Sequence, residues 1–154
     1  MCNPVLNSEY VARILRKDWL EDGKLVHTAF ALRYGESYVS VNRLAIPSFE
    51  MDVRDFIGLH PDYDFGNGKS KYATLNVGDV RDIKVELEGV TVNMDVEVEP
   101  RDLHVKSHAG IFTRIGNRNI KPGGSFVTDD PEACYSSDAL LLKVRLQLLR
   151  MAKY

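Results

Sequence analysis

Cysteine is scarce in these 154 residues: Cys2 and Cys134 are too few and too far apart for a disulfide framework or a cysteine-rich zinc site. Free thiols in a reducing compartment are the simpler expectation. Long hydrophobic runs are missing too. Nothing approaches the roughly 18–20 apolar residues of a membrane span, and Met1-Cys2-Asn3-Pro4 does not open a secretory leader. A cytoplasmic chain with no membrane partner is therefore expected. Neither sign of charge dominates, with 20 Lys+Arg against 22 Asp+Glu. That balance argues against coating nucleic acid through bulk attraction, without excluding a nucleic-acid ligand. A 44% hydrophobic content with so little net charge also argues against disorder. The length suits one domain, residues 1–154, with a core of its own.

The familiar catalytic signatures are absent as well. Ser40 sits in neither a G-x-S-x-G elbow nor an S-x-x-K motif. Gly68-Lys69-Ser70 would belong to a phosphate-binding loop only with a glycine at 63, which is Tyr63, and with a helix after it. Lys71 to Leu75 reads as strand instead, so no nucleotide cofactor is inferred.

Patterning supplies the architecture. Residues 25–34 alternate with period 2, Val26, Thr28, Phe30, Leu32 and Tyr34 on one parity, which predicts a half-buried strand. Gly35-Glu36 turns the chain into a returning strand over 38–43. Tyr10 to Arg16 fits a short strand or a helical turn equally. Ser48 is a good N-cap for a helix whose stripe is Phe49, Val53, Phe56 and Ile57, ended by Gly58 and Pro61. His60 to Lys71, rich in Gly, Pro, Asn and Asp, reads as a loop. The stretch 72–99 is β-rich. A two-residue turn at Glu88-Gly89 places 87 opposite 90, 85 opposite 92 and 83 opposite 94, with the turn type open. A strand follows over 105–115, then a loop over 117–131. Ser137 is the expected cap of a C-terminal helix. Its wide apolar face implies deep burial or a subunit contact, so a homo-oligomer through this helix is one partner expectation. The class is α+β, a mainly antiparallel sheet with one short internal helix and a C-terminal helix packed on it.

Chemistry concentrates on the strand around His108. His104, Lys106, His108, Gly110, Phe112 and Arg114 share a parity, and such a cationic stripe can hold phosphate or carboxylate. Its structural alternative is a wet outer face neutralised by Glu86, Glu88, Asp95, Glu97 and Glu99 on the preceding hairpin. His104 and His108 are about 13 Å apart on a strand at ~3.3 Å per residue, too far to share one metal, so no metal site is expected. Arg43 shares the inward parity of Val39 and Val41, and needs a carboxylate, backbone carbonyls or a bound anion. His27 lies beside Ala29 and Ala31, small residues that leave room for another element or a ligand.

The ordered segments HTAF at 27–30, SVNR at 40–43, GDVR at 78–81 and HAGI at 108–111 resemble a group of small bacterial proteins of unestablished activity. The resemblance spans residues 12 to 116, and departs at His27, where serine is usual. It implies a bacterial cytosolic domain in which Ala29, Phe30, Ser40, Arg43, His108 and Ala109 matter.

Two functional expectations result. The first is a binding module for a small anionic ligand or a protein partner, using Ser40, Arg43, His108 and Arg114. The second is a metal-independent, ribonuclease-like phosphodiester hydrolase with His27 and His108 as acid and base beside Lys106.

Overall fold

Alternating apolar residues over 38–43 and 108–115 give each strand one face to bury, and pairing the strands buries both faces together. The computed structural model describes residues 4–59, 72–99, 105–127 and 134–154. Its strands are β1 (Tyr10–Ile14), β2 (Leu20–Glu21), β3 (Lys24–Leu25), β4 (Tyr38–Arg43), β5 (Tyr72–Asn76), β6 (Glu86–Leu87), β7 (Val90–Thr91), β8 (Asn93–Val98), β9 (His108–Ile115), β10 (Arg118–Asn119), β11 (Ser125–Val127) and β12 (Cys134–Ser136). The helices are α1 (Phe49–Leu59), α2 (Val77–Arg81) and α3 (Ser137–Met151).

A six-stranded antiparallel sheet organises the fold. β9 lies between β8 and β4, then β1 and β5 follow, and β10 folds back on the end of β9. The larger core covers one face, where Val11, Val41, Leu75 and Ile111 meet Leu140, Val144 and Leu148 of α3. On the other face α1 seals a smaller core, Phe49 and Val53 against Ala12 and Ile14. This is the α+β class expected, with the internal and C-terminal helices in place. Most of the wide apolar face of α3 is spent on the sheet, leaving Leu142 and Leu146 exposed one turn apart. No helix among the described residues is long and apolar enough to cross a membrane.

Several local expectations need correction. Residues 25–34 do not form a strand. Only Lys24 and Leu25 pair, with Leu20 and Glu21, and His27–Phe30 is a 3₁₀ turn. Consecutive Ala29 and Phe30 are both buried, which a one-sided strand cannot achieve. The Arg13 guanidinium holds this turn, donating to the Ala29 carbonyl at 2.8 Å and to the Ser40 carbonyl at 2.8 Å while lying 4.6 Å from the Trp19 ring centroid. The β-rich stretch 72–99 is interrupted by α2, capped where the Asn76 side chain accepts from the Asp79 N–H at 3.0 Å. The hairpin has the expected 87–90 pairing, and Val92 donates to the Val85 carbonyl. Its turn is type I′ in character, with positive φ at both Glu88 and Gly89. The 83–94 pair does not form, and Met94 pairs with Thr113 of β9. The strand expected over 105–115 begins only at His108, and α3 is capped by Ser136 rather than Ser137. Tyr10–Ile14 is strand. The loop expected at His60 to Lys71 lies outside the described residues, as does His104.

Each outer strand of the sheet is engaged at one position along its free edge. At β5 the main chain of Thr74 exchanges hydrogen bonds with Lys153. At β8 the Val96 N–H donates to Asp95 Oδ1, and its carbonyl accepts from Arg81. Arg81 also binds the Val5 carbonyl, Asn7 Oδ1 and Asp95 Oδ1, tying the N-terminal segment to this edge.

Arg43 meets the requirement that its inward parity imposes. Its Nε and Nη2 donate to the two carboxylate oxygens of Glu9 at 2.9 and 2.8 Å, and Nη2 also reaches the Pro4 carbonyl. The side chains are only 5% and 8% exposed. The Arg43 hydrogen bond holds the Glu9 carboxyl below the usual glutamate range against the opposing effect of burial, with the Leu6 N–H and the Arg43 and Arg81 charges adding. A depressed folded-state value means the contribution is complete above the unfolded glutamate value of about 4.3 and fades as pH falls through the folded one. Glu9→Ala strands a buried cation and is expected to cost about 3–5 kcal/mol at neutral pH. Urea denaturation of both proteins across pH checks this: the gap should narrow below pH ~4, and a gap independent of pH would count against the ion pair.

Candidate functional site

The antiparallel register sets Tyr38 opposite Phe112, Ser40 opposite Gly110 and Asn42 opposite His108. Their side chains share the parity opposite to Val39, Val41, Ala109 and Ile111, which are buried on the α3 side. Gly110 leaves a gap in this row. The Tyr38 ring lies over it, with its centroid 6.2 Å from that of His108 and 5.0 Å from that of Phe112. Beside the rings opens a cleft of about 510 Å³ lined by Glu36, Tyr38, Ser40, Glu99, His108 and Lys121.

His108 is the centre of that cleft. Its Nε2 is 3.3 Å from Ser40 Oγ. The chain just before it is anchored by fully buried Ser107, whose N–H and hydroxyl both donate to Asp52 Oδ2, at 3.1 and 2.6 Å. Asn42 donates to the Ser107 hydroxyl, and Ser48 donates to the same Asp52 oxygen. Thus α1 reaches across the sheet to fix the start of β9. Glu99, 7% exposed, extends the strand beside His108 and donates its N–H to the His108 carbonyl. Glu36 is held at the cleft by the Arg33 N–H. Lys121 is exposed and makes no ion pair among the described residues.

The sequence candidates divide between different places. Ser40 and His108 come together in the cleft. Arg43 points to the opposite face, committed to Glu9, so it does not join His108. Arg114 shares the His108 face but is claimed by the hairpin. Its Nη1 and Nη2 donate to Glu97 at 2.6 and 2.9 Å, Nε donates to Asn119, and the guanidinium stacks 4.6 Å from the Phe112 centroid. Hydrogen bonding to Glu97, outweighing burial, raises its already high pKa further. Asp95 adds a carboxylate 4.0 Å away. For Arg114, the neutralised outer face is what the structure contains. Lys106 lies in the turn before β9, not on the strand. His27 belongs to the 3₁₀ turn packed with Phe30 into the α3-side core, and lines neither the cleft nor the cavity beneath α3. His27 and His108 therefore lie on opposite sides of the sheet, so the geometry does not supply the acid–base pair expected of a ribonuclease-like site.

Tyr38 and Glu36 line the cleft although neither is a site candidate in the sequence, and Glu99, there only a neutralising acid, lines it too. Tyr38 carries the parity of Ser40, and Glu99 the parity of Asp95 and Glu97, so the signal was present. Only the strand order turns it into a site. Among the described residues no group of three His, Cys, Asp or Glu side chains is placed to hold a metal. Comparison of the chain with protein-family models, curated proteins and solved structures finds no match in any of the three.

A Cβ added at Gly110 would lie 2.5 Å from Tyr38 Cδ2 and 3.0 Å from Phe112 Cε2. Gly110→Ala is expected to displace the Tyr38 ring from the sheet at a cost of about 1–3 kcal/mol. Urea denaturation reads that loss, and an unchanged midpoint would show that the ring does not depend on the glycine.

Proposed function

We propose that the chain is a binding module for a small polar anion, seated in the cleft over β4 and β9. The carrying observation is the 3.3 Å approach of His108 Nε2 to Ser40 Oγ in an open cleft that Lys121 also lines. A hydroxyl, an imidazole and an ammonium supply hydrogen-bond donors suited to a phosphate or carboxylate. The volume falls within the ~300–1,000 Å³ typical of small-molecule sites. Glu36 and Glu99 in the same wall favour a ligand that carries donors of its own beside the anionic group, such as hydroxyls or an amine. Backbone anchoring through Asp52 and Ser107 keeps His108 in place before the ligand arrives, which lowers the entropy lost on binding. Arg43 serves this site only indirectly, by fixing the end of β4.

Isothermal titration of the wild type and of His108→Ala with phosphate, nucleotides and short RNA tests the reading. Binding of a phosphate-bearing ligand is expected, weakened about tenfold or more in the variant by loss of a charge-assisted hydrogen bond. No binding of any of these by the wild type would remove it.

A further inference from the structure

Beneath α3, on the sheet face opposite the Ser40–His108 cleft, lies a second cavity of about 390 Å³ that shares no lining residue with the first. Its wall is mainly apolar, with Phe30, Leu32, Val39, Leu141 and Leu148 contributing. Arg145 enters this wall from α3. Unlike Arg43, Arg81 and Arg114, it meets no carboxylate among the described residues, and its Nε is sealed from solvent without an acceptor. A buried guanidinium N–H with nothing to bond to is an uncompensated desolvation cost and calls for an explanation. Asp138, the acid in the same wall, does not provide one. It stands seven residues earlier in α3, about 10 Å along the axis at ~1.5 Å per residue, and its Oδ1 accepts from the Gly123 N–H at 3.0 Å.

We propose that this cavity binds a medium-chain carboxylate, with the head group on the Arg145 guanidinium and the alkyl chain along the apolar wall. Charge complementarity selects the head group. A planar carboxylate matches the donor fork of arginine, and an incoming anion supplies the missing counter-charge. The wall selects the tail, since a hydroxylated body would lose its water there without gaining partners. Exposed Leu142 also lines the cavity and gives an alkyl chain an apolar approach. Burial of the chain adds favourable free energy with each methylene.

Isothermal titration of the full chain with decanoate, decanol and acetate, each below any micellar concentration, tests the site. Decanoate is expected to bind, with decanol (tail only) and acetate (head only) each about tenfold or more weaker. Arg145→Met keeps the apolar wall, and should lose about tenfold or more of the decanoate affinity while leaving decanol unchanged. The urea midpoint of that variant checks that it folds, and Arg145→Lys, with charge but no fork, provides an intermediate affinity if the wall is intact. His108→Ala should bind decanoate as the wild type does. The proposal is overturned if decanoate fails to bind the wild type, if decanol binds as well as decanoate, if Arg145→Met retains full affinity, or if His108→Ala loses it.

Discussion

With Asn42 facing His108 and Ser40 facing Gly110, the pairing of β4 with β9 decides which side chains can meet. Because strand side chains alternate, a one-residue slip of either strand would turn its own member of the pair, Ser40 or His108, into the core and part the two. Three devices hold the register. Val39, Val41, Ala109 and Ile111 bury one face against α3, the Arg43–Glu9 pair fixes the end of β4, and Asp52 grips Ser107 at the start of β9. The ring row of His108, Tyr38 and Phe112 over Gly110 then follows from the same alignment. A cleft at this position depends on the sheet rather than on a flexible loop.

Elements whose period matched their environment were legible in the sequence. β4, the Glu88-Gly89 hairpin, α1 and α3 each carry a clear apolar stripe, and the structure forms them. Where tertiary contacts overrode the local pattern, reading failed. Residues 25–34 alternate well, yet Arg13 and α3 draw His27–Phe30 into a turn that buries two neighbours at once. α2 is only five residues long and was hidden between two strands, although Asn76 and Asp79 mark its start. The site was half legible. The parity of Ser40 and His108 could be read directly. Their meeting, and the arrival of Glu99 and Lys121, depends on the order of strands from distant parts of the chain, which no local pattern encodes. The separation of His27 from His108 by the sheet has the same origin.

The near cancellation of charge across the chain resolves into local pairings. Arg43 with Glu9, Arg81 with Asp95 and Arg114 with Glu97 remove three cations from the pool available to a ligand. The Asp95 carboxyl shows the balance: burial pushes its pKa up, but Arg81 and the Val96 N–H outweigh that and hold it low. Of the three, only the Arg114–Glu97 pair joins the basic strand to the acidic hairpin before it. Lys121 and Arg145 stand outside these pairs, at two cavities on opposite faces of one sheet.

The Arg81 junction has a bearing on how the protein behaves in a crowded solution. Val96 sits on the outer edge of β8, where an unpaired N–H and carbonyl would offer a template for a strand from another molecule. Both groups are already occupied, one by Asp95 and one by Arg81. The same guanidinium clasps the segment around Val5 and Asn7, so the edge is blocked by side chains and by a length of the chain itself. What looks like a structural ion pair is also a guard against strand addition.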